Sequence, residues 1–410
     1  MSEIQNRLDE LKELGLYRRM RLVAGPQGPS VLLEGKRVLL LCSNNYLGLA
    51  DHPVVREAAA RAAMRYGVGA GGSRLVSGNM TLHRRLEERV ADFTGTESCL
   101  LFGSGYLANT GVIAALAREG DVVFSDELNH ASIIDGCRLA RAETFVYDHL
   151  DIEHLEWGLE EAGGRGSLIV TDSLFSMDGD VAPVEAIVDL AQRHDARLLV
   201  DEAHATGVLG PGGRGVVAEA GLTADVDVIV GTLGKSLGGY GAYACCNEEL
   251  ARYLTNTART LIFSTGPPPP SVAAALAALG VVQEQPRRIE RLRQNARVLR
   301  TALVDEGFYI EGDETQIVPL VIGDSRITMD VCERALLRGV FAQAIRPPTV
   351  PRGTARLRLA AMATHAAAEL RWAAGQLAAA AREAGLEPAA SHYSSAPAAT
   401  LDEAEVEQAA

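Results

Sequence analysis

The chain has 410 residues, 47% of them hydrophobic and 22% charged, the balance of a globular protein with room for a large core and a second domain. Its formal net charge of −14 argues against a nucleic-acid partner, because phosphate backbones require a basic face. No apolar run reaches the ~18 residues of a membrane span and no signal-peptide pattern opens the chain, so a cytoplasmic protein with no membrane partner is expected.

The first 45 residues pair a polar helix pattern, MSEIQNRLDELKELG, with a hairpin, VLLEGKRVLLL, expected to pack onto the main body as an arm. Residues 46–284 then alternate short β-branched runs with helix-length segments. The strand candidates are ESCLLF (97–102), DVVFS (121–125), TFVYD (144–148), SLIVTD (167–172), RLLVD (197–201), VDVIVG (226–231) and AYACC (242–246). Near-continuous apolar strands separated by helices indicate an α/β fold on a mostly parallel sheet of seven strands. AYACC follows its predecessor after only a glycine-rich loop and is the candidate for an antiparallel member. From 285 to 388 the pattern changes to strand-like GFYIEG, IVPLVIG, GVFAQAI and ARLRLAA between helices, which suggests a smaller C-terminal α+β domain. The end, 389–410, is Ala/Ser/Pro-rich and acidic, the composition of a disordered tail.

The six cysteines, Cys42, Cys99, Cys137, Cys245, Cys246 and Cys332, form no C-x-x-C pair. That excludes a zinc knuckle or thioredoxin-type motif, no metal site is expected, and buried free thiols in a reduced compartment are the plain reading.

Chemistry-bearing residues collect at strand ends, where parallel sheets bind ligands. ESCLLF leads into GSGYLANTGVIAAL, a glycine turn opening a helix whose first N–H groups are aimed at an anion. DVVFS leads to DELNHASIIDG, in which His130 either stacks on a flat ring or caps the following helix. SLIVTDSLFSMDGD brings Ser173, Ser176 and Asp178. RLLVD ends in Asp201, followed by His204. An aspartate closing a buried strand is costly without a positive partner, and either a protonated pyridine nitrogen or a turn N–H satisfies it. VDVIV runs into GTLGKSLGG, with Thr232 and Lys235. Of the 39 basic residues only Lys12, Lys36 and Lys235 are lysines, and only Lys235 is not in an ordinary surface setting. The GKS triplet invites a P-loop reading, which fails because Ile229 stands where the first glycine belongs. A lysine in apolar surroundings suits imine chemistry instead, since desolvation frees the amine. Together, a glycine turn, a histidine, a serine, an Asp-x-x-His and a lysine match the needs of pyridoxal 5'-phosphate: a phosphate seat, a carboxylate for the ring nitrogen and an amine for the aldehyde.

The stretches SNNYLGL, GAGGSRLVSGN, FGSGYLAN, DELNHASIIDG, DSLFSMDGD, VDEAHATGVLG and GTLGKSLGG resemble those of the α-oxoamine synthases, fold-type I pyridoxal-phosphate enzymes, across residues 1–388. RPPTVPRGTARLRL and the later MATH most resemble the members that join L-alanine to a pimeloyl thioester with loss of carbon dioxide; the runner-up uses glycine and acetyl-CoA. The resemblance implies that Lys235 binds the cofactor covalently and moves the proton, that Asp201 pairs with the ring nitrogen, that His204 bonds the ring hydroxyl, that His130 stacks on the ring and that Ser176 lies beside it. The N–H groups of Gly105 and Tyr106 and the Thr232 hydroxyl would hold the phosphate. Thr265 would reach the cofactor of a neighbouring subunit in a homodimer with shared sites. Arg358 and Asn44 would hold the amino-acid carboxylate, and Arg18 and Thr349 match positions that contact the acyl substrate. The four-proline run in TLIFSTGPPPPSV departs from the family pattern but leaves Thr265 in place.

Overall fold

The computed structural model describes residues 2–13 and 17–388; the expected acidic tail lies outside the described residues. Helix α1 (Glu3–Glu13) leads the chain and buries none of its residues. Strands β1 (Val23–Ala24), β2 (Ser30–Leu33) and β3 (Lys36–Leu40) follow. Next come α2 (Pro53–Tyr66), which starts on a proline, and α3 (Thr81–Thr94), which ends at Gly95 in the left-handed region, φ 83°.

The large sheet comprises β4 (Ser98–Phe102), β5 (Val122–Asp126), β6 (Glu143–Tyr147), β7 (Ser167–Asp172), β8 (Arg197–Asp201), β9 (Val228–Thr232) and β10 (Ala242–Cys246). Its order is β4-β10-β9-β8-β7-β5-β6. The pairs β6–β5, β5–β7, β7–β8 and β8–β9 are parallel, and β10 is antiparallel to both β4 and β9, as the short loop before AYACC requires. Successive side chains go to opposite faces. Phe124, Ile169, Leu198 and Val200 enter one core, and Val123, Leu168, Val170 and Leu199 enter the other. Both faces are covered, which is why these strands read as unbroken apolar runs rather than alternating ones. Truncating a wholly buried member such as Ile169 to alanine costs about 2–5 kcal/mol.

Helices α4 (Gly105–Leu116) and α5 (Ala131–Ala140) lie after β4 and β5. Beyond residue 285 a second core forms around β11 (Ile317–Gly323), β12 (Val340–Phe341), β13 (Gln343–Ile345) and β14 (Ala355–Ala360), packed with helices Arg287–Asp305, Ser325–Leu337 and Ala367–Glu383. Strands β11, β14 and β13 make an antiparallel three-stranded sheet.

Three local expectations differ from the structure. The N-terminal hairpin does not simply lie on the main body: β3 pairs in parallel with β12, Leu39 opposite Val340, and Leu39 and Leu41 belong to the second core. GVFAQAI is not one strand; β12 and β13 join different sheets, with buried Ala342 between them. GFYIEG forms no strand. It is the exit from helix Arg287–Asp305, held by the Arg300 guanidinium on the Glu311 carbonyl at 3.1 Å, with Phe308 buried in the second core. Among the described residues no helix is long and apolar enough to cross a membrane.

The parallel register sets the site. Asp172 stands opposite Asp201, and Asp201 opposite Val230, so β7, β8 and β9 deliver Asp172, Asp201 and Thr232 to one edge of the sheet.

Candidate active site

The site is built from strand ends and the loops that leave them. At the end of β4, Ser104 caps α4 by accepting the Leu107 N–H at 3.2 Å. The N–H groups of Gly105 and Tyr106 in the first turn make no hydrogen bond among the described residues, and a side chain added at Gly105 would meet nothing within 4 Å. This is an open donor cradle at a helix N-terminus. Phe102 and Thr232 both stand opposite Ala242, so β4 and β9 end level with each other on either side of β10, and the cradle follows the end of β4. The Thr232 hydroxyl donates to the Gly241 carbonyl at 3.2 Å and accepts the Gly234 N–H at 3.1 Å.

Asp201 is 4% exposed. One of its oxygens accepts the Ala203 N–H at 2.8 Å and the other accepts Nδ2 of Asn109, on α4, at 2.7 Å. It satisfies a turn N–H, one of the two readings left open for it, and still has lone pairs free for a further donor. Asp172 accepts the backbone N–H of His130 at 2.8 Å. Burial, and then the charge of Asp201, push the Asp172 carboxyl well above the usual carboxylate range. Glu202, also buried, caps the short helix Val216–Glu219 through the N–H groups of Val216 and Val217 at 3.0 and 2.7 Å; burial pushes it up to about 7, and its place is structural.

Lys235 follows β9. Its amine makes no hydrogen bond among the described residues. Burial lowers its pKa to about 8, against the opposing pull of Asp201 and Asp172 and with help from Arg358. This is an amine part-way to the neutral, nucleophilic form.

His204 is buried at the β8 turn, with Nδ1 2.7 Å from the Tyr46 hydroxyl and its carbonyl accepting Nε2 of Gln316 at 2.9 Å. Burial, with Lys235 and Arg358 nearby, holds its pKa well below the ordinary histidine value, so it is neutral. His130 caps α5, its Nδ1 accepting the Ser132 N–H at 3.2 Å and lying 2.7 Å from the Ser132 hydroxyl. The residue is exposed, yet partial desolvation of the ring lowers its pKa against the opposing charge of Asp201, with Lys235 adding to the lowering.

Arg358, on β14, reaches from the second core into the first. It donates to the Ser176 carbonyl at 2.7 Å, to Asn44 Oδ1 at 2.8 Å and to the Tyr46 hydroxyl at 3.0 Å. It is 5% exposed and has no carboxylate partner among the described residues. Its neighbour Arg356 is different, being neutralised by Asp178.

Lys235, Asp201, His130, His204, Asn44, Ser176 and Arg358 are thus joined by contacts or by mutual electrostatic influence, with Gly105, Tyr106 and Thr232 at the same sheet edge. Arg18 and Thr349 form a separate, exposed group around Arg346, which donates to the Tyr17 carbonyl at 3.3 Å and accepts the Thr349 N–H at 3.1 Å. Thr265 is exposed and bridges to Ser73, and among the described residues it makes no hydrogen bond to the inner site. Sequence reasoning missed Tyr46, Asn109, Ser132 and Asp172. Asn109 left a legible signal, a lone amide in the otherwise apolar helix GYLANTGVIAAL, and Asp172 closes a buried strand just as Asp201 does.

The residues present fit pyridoxal phosphate: a donor cradle open in front of Gly105, a buried carboxylate fixed by two N–H donors, and a half-buried amine with a lowered pKa.

Comparison with known proteins agrees. The aminotransferase class I and II family matches residues 36–377. The 8-amino-7-oxononanoate synthase of Geobacter sulfurreducens is 52% identical over 386 residues, 93% of this chain and 99% of that protein. A lysine-to-alanine variant of serine palmitoyltransferase from S. paucimobilis, solved with a bound PLP–myriocin aldimine, superposes with a TM-score of 0.88 at 32% identity, covering 93% of this chain and 97% of that one. The 8-amino-7-oxononanoate synthase of Francisella tularensis shares the fold, with a TM-score of 0.74 at 24% identity over 85% of this chain and 99% of its own. The chain belongs to the class I and II aminotransferase family, within its branch of pyridoxal-phosphate-dependent α-oxoamine synthases.

Proposed function

We propose that this chain makes 8-amino-7-oxononanoate by condensing L-alanine with a pimeloyl thioester, with loss of carbon dioxide. The observation that carries the choice of an amino acid is Arg358, a buried guanidinium facing only neutral acceptors beside the half-buried amine of Lys235. The missing counter-charge is the substrate's carboxylate. The relatives' identity near 50% over almost their full length supports the alanine and pimeloyl pairing.

When bound, pyridoxal phosphate supplies an electron sink for the bond changes at the amino-acid α-carbon. The chain's own residues do the rest. The Gly105 and Tyr106 N–H groups and the Thr232 hydroxyl hold the phosphate. The Asp201 carboxylate, fixed by Asn109 and Ala203, keeps the ring nitrogen protonated. His204, braced by Tyr46, would bond the ring hydroxyl, and His130 and Ser176 would help to hold the ring. Arg358 and Nδ2 of Asn44, which has no partner among the described residues, orient the alanine carboxylate. The Lys235 Nζ holds the cofactor at rest, then takes the α-proton and later returns one. Arg18 and Thr349, on the exposed shelf around Arg346, contact the acyl donor.

Two copies complete the assembly in this reading. Thr265 serves the cofactor of a second subunit in a homodimer, which accounts for its exposure in a single chain. Residues 1–45, 46–284 and 285–388 act as arm, cofactor domain and small domain. The enzyme works in the cytoplasm, for which the free thiols Cys99 and Cys245, opposite each other on β4 and β10, are suited.

The test is a donor panel. Purified chain with pyridoxal phosphate and L-alanine should convert pimeloyl-CoA, or pimeloyl-carrier protein, to a product of the mass of 8-amino-7-oxononanoate. Turnover only with glycine and acetyl-CoA would replace this assignment with the runner-up.

A further inference from the structure

Behind the site runs a buried chain of side-chain hydrogen bonds. Asn109 Nδ2 lies 2.7 Å from Asp201 Oδ2 and 2.9 Å from Ser132 Oγ, and Ser132 Oγ lies 2.7 Å from His130 Nδ1. Asn109 is 1% exposed and Ser132 is wholly buried. The direction of every proton in this chain follows from its two ends. Asp201 accepts from the Ala203 N–H and from Asn109, so the Asn109 amide must present nitrogen; turned over, its oxygen would face the carboxylate. The two amide protons then go to Asp201 and to Ser132 Oγ. His130 Nδ1 receives the Ser132 backbone N–H at 3.2 Å, so it presents a lone pair, and the Ser132 hydroxyl 2.7 Å away, which could otherwise accept a second time, must give it its single proton. A ring nitrogen that accepts two donors carries no proton of its own.

We propose that Asn109 and Ser132 are positioning residues that lock the His130 imidazole as its Nε2–H tautomer, so that the ring offers the substrate side of the site a hydrogen-bond donor and not a base. The Nε2 atom has no partner among the described residues, and His130 is exposed at the rim where it is within electrostatic reach of Lys235. A donor at that place would polarise the carbonyl of an incoming thioester or hold a substrate carboxylate oxygen; proton removal is left to Lys235. The burial-driven lowering of the His130 pKa acts in the same sense, since only a neutral ring has tautomers to select. What His130 donates to rests on the proposed function above; which nitrogen carries the proton does not.

The experiment reads the proton directly. Protein with 15N-labelled histidine rings, saturated with pyridoxal phosphate, is observed by NMR, and His130 is assigned by the signals lost in His130→Gln. The expected result is one tautomer with the proton on Nε2 and a bare Nδ1. Ser132→Ala leaves only the longer backbone contact to Nδ1, and Asn109→Ala frees the Ser132 hydroxyl to turn round, so both should mix the tautomers and draw the two ring shifts together. A proton on Nδ1 in the unaltered protein would overturn the proposal. Unchanged ring shifts in both variants would also overturn it, by reducing Asn109 and Ser132 to packing. Should Asn109→Ala fail to fold, the unaltered protein and Ser132→Ala decide the matter. If the chain proves to catalyse a different reaction, the tautomer remains measurable, so the two readings fail separately.

Discussion

Asp172 and Asp201 are register partners at the ends of β7 and β8, so two buried carboxyls stand side by side at the edge that serves Lys235. Their surroundings make them unequal. Asp201 receives two N–H donors, one from the Asn109 amide, whereas Asp172 receives only the His130 N–H, and burial and its neighbour favour its protonated form. Asp172→Asn therefore substitutes an amide for an acid whose protonated form burial favours, and the amide oxygen can still accept from His130. The expected change in stability is less than ~1 kcal/mol, the scale of one ordinary hydrogen bond, with turnover retained. Asp201→Asn should bind pyridoxal phosphate and lose ~10³-fold or more in turnover, equivalent to about 4 kcal/mol of transition-state stabilisation. Steady-state rates of the two variants side by side check this. Equal losses would mean that the carboxyls share one role.

The lowered Lys235 pKa gives a pH signature. Burial disfavours the ammonium, so the neutral amine that captures the cofactor becomes the main form above about 8 instead of 10.5. The rate at which cofactor-free protein takes up pyridoxal phosphate should rise ~tenfold per pH unit below that point and level off above it. A rate that climbs unabated towards pH 10 would show an ordinary solvated lysine. Borohydride should then fix the cofactor to Lys235, and the label should vanish in Lys235→Ala.

The sheet was legible in the sequence because covering both faces leaves each strand an unbroken apolar run, and its closing residue, whether Asp201 or Thr232, then stands out as polar. The polar positions gathered at that sheet edge were legible for the same reason. The supporting contacts were not. Tyr46 reaches His204 across 158 positions and Arg358 reaches Asn44 across 314, and no local spacing carries such a distance. The split of GVFAQAI into β12 and β13 was hidden too, since each half is a good strand and only the partners β3 and β14 tell them apart. Thr265 and the Arg18–Thr349 shelf could be named from the resemblance alone, because within one chain they stand exposed and apart from the inner contacts.

His149 offers a test of stability away from the chemistry. It lies between Asp126 at 2.8 Å and Asp180 at 3.4 Å. Burial alone would lower its pKa, but the two carboxylates outweigh it and raise the value to about 9, from an ordinary 6.5. The folded state therefore holds a proton that the unfolded chain has released. Its contribution, up to ~3 kcal/mol, is fully present below pH 6.5 and is lost as pH rises through 9. The difference in unfolding free energy between the unaltered protein and His149→Gln should be largest near pH 6 and shrink steadily to pH 9. A difference independent of pH would assign His149 to packing against Phe175, whose ring centroid is 4.4 Å away.

Arg358 brings stability and function into opposition. Its guanidinium is buried against a carbonyl, an amide oxygen and a hydroxyl, and an uncompensated buried charge destabilises a fold unless something else requires it. Arg358→Lys keeps the charge but loses the planar fork. The Michaelis constant for alanine should rise ~10- to 100-fold, the 1.4–3 kcal/mol range of a charge-assisted contact, with a smaller effect on turnover of bound substrate. Arg358→Gln removes the charge, keeps an N–H donor for the Ser176 carbonyl, and should leave thermal stability unchanged or higher while alanine binding collapses. This pairing of a stability gain with a binding loss is the mark of a residue retained for its ligand. If Arg358→Gln instead lowers the melting temperature and leaves the alanine dependence intact, the guanidinium is a strut between β14 and the Ser176 loop, and the amino-acid carboxylate must be held elsewhere.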